Sequence, residues 1–408
     1  MLSPLSLIHH SQIKFSEQEK INKEKQIKDT KNTPDYNLNN LPNGHYSAIE
    51  VQKTMGISDK QAFPKHRPQN YIGCLIGGSI GDALGWPVEF ERLRGIHKQY
   101  GQNGITELEL VNNKAEITDD TQMTIFTADG LLKSAIKEFN ENKNPDMNII
   151  YDSYKNWLKT QYCHYSANNN GWISNIKELY SRRAPGTTCT GSLQKGIPGS
   201  IETPVNESKG CGGVMRVAPV GLMYYQNPEK AFEIGARCAA LTHGNPSAYL
   251  PAGVHSCIIA NLIQGKTIEE AVDNSIKILK KYSRHEDTLH LIEKAKEYAK
   301  SNISSTSAIY NLGEGWHGDE AIAISIYCVL KSPEDFEKAL IMSVNHNGDS
   351  DSTGAIVGNI LGAYLGEDKI PAKWKNSVEL SSELKQLALD LYKKPKDIEN
   401  SIEKYPTA

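Results

Sequence analysis

From Tyr71 onward, apolar residues recur mostly at three- and four-residue intervals, and strict alternation is nearly absent. Such spacing collects side chains on one face of a helix. Residues 121–137 carry Met123, Phe126, Leu131 and Ala135 in this way, and 229–241, 246–263, 268–282, 287–300, 319–331, 333–343 and 353–365 read alike. "GITELEL" (104–110) is the best short strand, an expected hairpin arm. Gly and Pro punctuate the helices at 185–186, 198–199 and 244–246, and there is no fixed-period repeat. The pattern predicts a single all-α domain of many helices over 69–408. Residues 1–68 are different: Lys-, Asn- and Glu-rich and poor in branched aliphatics, they read as a polar extension or a partner-binding arm.

Two stretches depart from ordinary helices. Gly73, Gly77, Gly81 and Gly85 are spaced by four, and so are Gly354, Gly358, Gly362 and Gly366. Glycine costs up to about 1 kcal/mol of helix propensity relative to alanine, so eight of them need a compensating gain. Close backbone approach supplies one, and both runs are expected to be buried core helices. If they pack on each other, the acids at 349–351 come near the segment after Gly85.

Those acids pose a choice. In "NGDSDST", Asp349, Asp351 and Ser352 are good helix caps, favoured by the helix dipole; they are equally a set of hard oxygen ligands. "ITDDTQMT" repeats the chemistry some 230 residues earlier with Thr118, Asp119 and Asp120, where Asp119 or Asp120 is the expected cap. Four carboxylates with hydroxyls and no obligatory His or Cys make an oxygen cage suited to Mg2+, Mn2+ or Ca2+, with charge enough for two divalent ions. Glu89 follows the first glycine ladder. "SKGCGGVMRVAP" (208–219) puts three glycines around Cys211, either a structural turn or backbone open to a phosphate. His243 in "LTHGNP" reads first as structural, and Trp316 beside His317 as a core tryptophan.

Bulk composition narrows the function. A net charge of −3 gives no field for nucleic acid or a membrane surface. No stretch approaches the roughly 18 apolar residues of a span. Seven scattered cysteines without a C-x-x-C pair suit a reducing compartment, and with no recognisable secretory signal the expected location is cytoplasmic.

Taken in chain order, "GCLIGGSIGDALGWPVEF", "ITDDTQMT", "RRAPGTT", "SKGCGGVMRVAP", "LTHGNP", "GWHGDEAIAIS" and "NGDSDSTGAIVGNILGAYLG" resemble the ADP-ribosylglycohydrolase family, over roughly residues 70–366. The resemblance implies an all-α fold and a binuclear Mg2+ or Mn2+ centre that cleaves ADP-ribose from modified proteins. It implies metal-binding roles for Thr118, Asp119, Asp120, Asp349, Asp351 and Ser352, and places Glu89, with Asp120, at the proton transfers. It puts Ser208, Lys209, Gly210, Gly212 and Gly213 on the diphosphate loop and His243 by the adenosine half. Some arginine-specific members carry an Asp ahead of a Gly-x-Thr segment; here Ala184 and Pro185 stand near that position, which leaves the acid–base assignment and the linkage open.

The expected substrate is ADP-ribosylated protein, with arginine as first acceptor. An immunity protein against an ADP-ribosylating toxin, a stoichiometric toxin inhibitor acting through residues 1–68, and a hydrolase of free ADP-ribose derivatives are the alternatives.

Overall fold

The structure is a computed structural model that describes residues 65–139, 142–167, 169–393 and 400–407. The expected partner-binding arm lies, apart from its last four positions, outside the described residues. Among those described there are 17 α-helices and no sheet. They run α1 (Pro68–Gly85), α2 (Leu93–Tyr100), α3 (Asp119–Lys137), α4 (Met147–Thr160), α5 (Thr187–Gln194) and α6 (Ala218–Met223). Next come α7 (Pro228–Ala240), α8 (Pro246–Ile263), α9 (Ile268–Leu279), α10 (Glu286–Lys300), α11 (Ser305–Leu312) and α12 (Gly318–Lys331). The chain closes with α13 (Phe336–Val344), α14 (Ser350–Leu365), α15 (Ala372–Ser377), α16 (Ser381–Lys393) and α17 (Ser401–Lys404). No helix among the described residues is long and apolar enough to cross a membrane.

Three helices are buried on every side: α8 throughout, and α1 and α14 over nearly all their length. Around them pack amphipathic helices such as α9, whose Ile268, Val272, Ile276 and Leu279 face inward while Glu269, Glu270 and Lys277 face out. A capping box starts α9: Thr267 Oγ1 accepts from the Glu270 amide, and the Glu270 carboxylate accepts from the Thr267 amide.

The most extensive helix pairing is α1 against α14, glycine face to glycine face and antiparallel. Gly73 lies on Gly362, Gly77 on Gly358, Gly81 on Gly354, and Gly85 on the Ser350–Asp351 backbone. A Cβ at any of these would overlap a carbonyl group of the other helix. These seven glycines are needed because two backbones touch, whereas Gly366, which ends the second ladder, sits at a left-handed φ of 85° with only ordinary contacts. Asn359 seals the seam by donating from Nδ2 to the Cys74 carbonyl at 2.8 Å, and Asn70 donates likewise to Ala363 at 2.8 Å.

The expected strand does not form. Residues 104–110 are irregular, and the nearby pairing is two isolated bridges, Val111 with Lys114 and Ala115 with Val378. No neighbouring strand among the described residues offers a ladder. Instead the Asn345 side-chain amide serves Ile105 on both sides, Oδ1 accepting from its N–H at 2.8 Å and Nδ2 donating to its C=O at 2.9 Å.

A test of the seam compares two glycines. Gly358→Ala should cost about 2–3 kcal/mol or more, since no flexible side chain can yield. Gly191→Ala, in α5 with open space at its Cβ, should be neutral or gain up to about 1 kcal/mol. Urea unfolding of both measures the difference, and equal midpoints contradict the packing.

Candidate active site

The first acid pair opens α3. Thr118 caps the helix, its Oγ1 accepting from the Asp120 amide at 3.3 Å, so neither Asp119 nor Asp120 is the cap. Beneath it lies Asp82, one residue past Gly81 on α1 and fully buried. Its carboxylate accepts from the Thr118 amide at 3.1 and 3.0 Å, Thr118 Oγ1 at 2.8 Å, the Thr121 amide at 3.1 Å and Thr121 Oγ1 at 2.5 Å. Burial raises the Asp82 carboxyl to about 6 against the pull of these bonds. In the sequence Asp82 reads only as an interruption in the glycine ladder; the available signal was an acid in a helix too apolar to have a solvent face.

The second pair opens α14. Asp349 is the cap, Oδ1 accepting from the Ser352 amide at 3.3 Å, and Asp351 Oδ1 accepts from the same amide at 2.9 Å. The glycine seam ends here with Gly85 against Asp351. Just beyond it a 3-10 turn, Trp86–Val88, delivers Glu89. Glu89, Asp349 and Asp351 each present an oxygen within 4.8 Å of the others, a group that can hold a metal ion.

The "RRAPG" stretch clamps Asp119 from outside. Its amide donates to the Arg183 carbonyl at 3.0 Å, and its Oδ2 accepts from the Gly186 amide at 3.1 Å. Ala184, between them, adopts a left-handed φ of 46°. Arg183 is itself held by Glu116 at 2.7 Å and Glu379 at 3.4 Å.

The resulting cluster is starved of positive charge. Burial first, then the neighbouring carboxylates, pushes Glu89 up to about 8 and Asp120 and Asp351 well above the usual carboxylate range. Asp119 is likewise raised to about 8, by burial and by Asp82 and Asp349 against the Gly186 bond. Glu89 Oε2 and Asp120 Oδ2 are buried with no hydrogen-bond partner. Buried acceptors without donors, amid like charges, are what a hard cation would satisfy. Thr118 Oγ1 donates to Asp82, and Ser352 Oγ faces Cys211 Sγ at 3.6 Å and Met215 Sδ at 3.8 Å; each hydroxyl oxygen keeps a lone pair that a cation can use.

The glycine loop lies alongside. Ser208 Oγ meets Thr188 Oγ1 at 3.0 Å and accepts from the Gly210 amide at 3.3 Å. The Lys209 carbonyl accepts from Gly318 at 2.9 Å, Gly210 bridges to His317, and the Lys209 side chain is exposed. A Cβ on Gly212 would stand 3.0 Å from Cys189 Sγ and 3.2 Å from His243 Cε1, and one on Gly213 2.8 Å from the Ala239 Cβ. The floor thus explains these two glycines. His243 is part of that floor: 1% exposed, its Nδ1 2.9 Å from Thr242 Oγ1, it supports the loop and offers a ligand no surface of its own. Burial and the Arg216 charge lower it to about 3.

At the rim, Trp316 is half-buried rather than core. Phe90, at φ 68° and largely exposed, stacks on it at 5.2 Å, and an Arg92–Glu314 ion pair joins the same two loops. A cavity of about 350 Å3 opens behind Glu89, lined also by Trp86, Tyr100, Glu109 and Glu116. A larger cavity, about 550 Å3, lies between α3 and α4 and includes none of the clustered acids.

Six carboxylates, Asp82, Glu89, Asp119, Asp120, Asp349 and Asp351, thus gather where the ends of α1, α3 and α14 meet, beside a glycine loop. The ADP-ribosylglycohydrolase profile matches residues 64–400, and the chain belongs to that family. It is 24% identical to the Gallus gallus protein ADP-ribosylhydrolase ARH3 over 367 residues, covering 80% of this chain and 93% of that one. It is also 24% identical to the ADP-ribosyl-[dinitrogen reductase] glycohydrolase of Rhodospirillum rubrum, covering 76% and 91%. A solved structure titled ADP-ribosylglycohydrolase-related protein complex shares the fold, with a TM-score of 0.56 at 22% identity, covering 81% of this chain and 99% of that one. The protein is an ADP-ribosylglycohydrolase, hydrolysing the bond that holds ADP-ribose.

The His243 floor has a pH signature. An unfolded histidine titrates near 6.5 and the folded one near 3, so the folded state binds fewer protons between those values. Its contribution is complete above 6.5 and is lost as pH falls toward 3, by up to about 1.4 kcal/mol per pH unit. Urea midpoints at pH 7 and 4.5 should therefore fall further for wild type than for His243→Gln; an equal fall contradicts a buried neutral imidazole.

Proposed function

We propose that the chain releases ADP-ribose from ADP-ribosylated protein side chains, arginine first, at a centre of two divalent cations held by Asp119, Asp120, Asp349 and Asp351. Thr118 and Ser352 add their hydroxyl oxygens to that cage. The observation that carries the reading is the pair of buried, unpartnered oxygens, Glu89 Oε2 and Asp120 Oδ2, among carboxylates whose charges oppose one another. When bound, Mg2+ or Mn2+ supplies the missing positive charge and polarises hydroxyl oxygens of the ligand.

The chain's own residues divide the remaining work. Cleaving a bond at ribose C1 builds oxocarbenium character, so the departing group must gain a proton and a water must lose one. Glu89 stands beside Asp349 and Asp351 with a buried, unpartnered oxygen, and in its protonated form it can donate to the departing nitrogen or oxygen. Asp120, which bound cations would hold ionised, is the neighbouring carboxylate able to accept a proton from water. The exposed Lys209 offers charge to the diphosphate, and those amides of 208–213 that the loop does not itself use, unlike those of Ser208, Gly210 and Cys211, offer N–H groups. With Ala184 and Pro185 in the clamp on Asp119, the proton at the leaving group falls to Glu89.

Release of ADP-ribose from an arginine-ADP-ribosylated protein, with Mg2+ and with EDTA, tests this. EDTA and Asp351→Ala should each abolish release, and Glu89→Gln should lower kcat by about a hundredfold or more. Undiminished release in EDTA contradicts the cage, whereas release only from serine-linked substrate moves the acceptor.

A further inference from the structure

Cys211 stands where the glycine loop meets the second acid pair. Its Sγ lies 2.6 Å from Asp349 Oδ2, donating the S–H, while Asp349 Oδ1 accepts from the Ser352 amide at 3.3 Å. Both oxygens of that carboxylate are thus oriented, one by its own helix and one by the loop. The backbone of Cys211 is itself pinned: its N–H donates to the Trp316 carbonyl at 3.1 Å, and its C=O accepts from Val214 at 2.7 Å. Among the described cysteines it is the one whose sulfur lies against a carboxylate.

We infer that Cys211 is a positioning residue for the metal centre: its S–H fixes the Asp349 carboxylate, and through it the glycine loop and the cation cage are coupled. The inference rests on the metal-cage reading above and deepens it. Asp349 belongs to the one group of described acids whose oxygens converge closely enough for an ion. A second independent sign of a cation site here is Asp120 Oδ2, on a residue only 3% exposed and without a partner. Residues that orient metal ligands by hydrogen bonds typically change metal affinity by about 10–100-fold when removed.

The test is equilibrium binding of Mn2+ to the full chain, read from the electron paramagnetic resonance of free Mn2+, for wild type, Cys211→Ser, Cys211→Ala and Cys211→Val. Serine keeps a donor, and alanine and valine remove it with different volumes. Thermal unfolding in EDTA identifies which variants fold, and the comparison is made on those. Alanine or valine should weaken Mn2+ by about tenfold or more, with serine staying within about threefold of wild type. A donor-less variant that binds as wild type does, or a serine variant weakened as much as alanine, overturns the inference. Absence of Mn2+ binding by wild type itself overturns the cage reading and this inference with it, an outcome distinct from loss of the cysteine's role alone.

Discussion

Everything at the site depends on two backbones touching. Along the α1–α14 seam the carbonyl groups of each helix rest directly on the other's main chain over about three turns, from Gly73 on Gly362 to Gly85 on Ser350. Packing of this kind carries dispersion and weak C–H···O attraction that offset the helix propensity lost at each glycine. The consequence is positional. A seam that ends at Gly85 and Asp351 leaves no room for the chain after Gly85 to do anything but turn, and the turn lands Glu89 beside Asp349 and Asp351. The same helix carries Asp82 one residue off the seam, where it gathers the start of α3 and with it Asp119 and Asp120. One helix therefore fixes both acid pairs.

The electrostatic cost of this arrangement is concentrated where the chemistry is. Asp82 meets its burial with hydrogen bonds from two threonines and rises only to about 6. Asp120, Asp351 and Glu89 have fewer donors and more like-charged neighbours, and rise further. The difference separates a structural carboxylate from those left for a ligand: one is satisfied by the protein, the others are not.

Much of this was legible in the residue pattern, and the rest was hidden for identifiable reasons. The two glycine ladders, both acid pairs, Glu89 and most core helices follow from spacing and residue type, because periodicity is a local property. The helix at 147–160 escapes the pattern although Ile150, Tyr154 and Trp157 line its buried face, since its polar surface dilutes the signal. The role of Asp82 stays hidden because its four donors come from residues 36 and 39 positions away. His243 shows the limit of motif transfer: its position beside the glycine loop was foreseeable, but not that the loop would cover it. The 104–110 stretch alternates like a strand, yet a strand exists only with a neighbour, and there the neighbour is one asparagine side chain.

The central claim is that the two acid pairs, far apart in the chain, form one cation-holding cage. Anomalous diffraction from crystals of the protein grown with Mn2+ tests it most directly. The account predicts manganese peaks within about 2–2.5 Å of carboxylate oxygens from both Asp119–Asp120 and Asp349–Asp351. Manganese held by one pair alone, or none in the cluster, would contradict it.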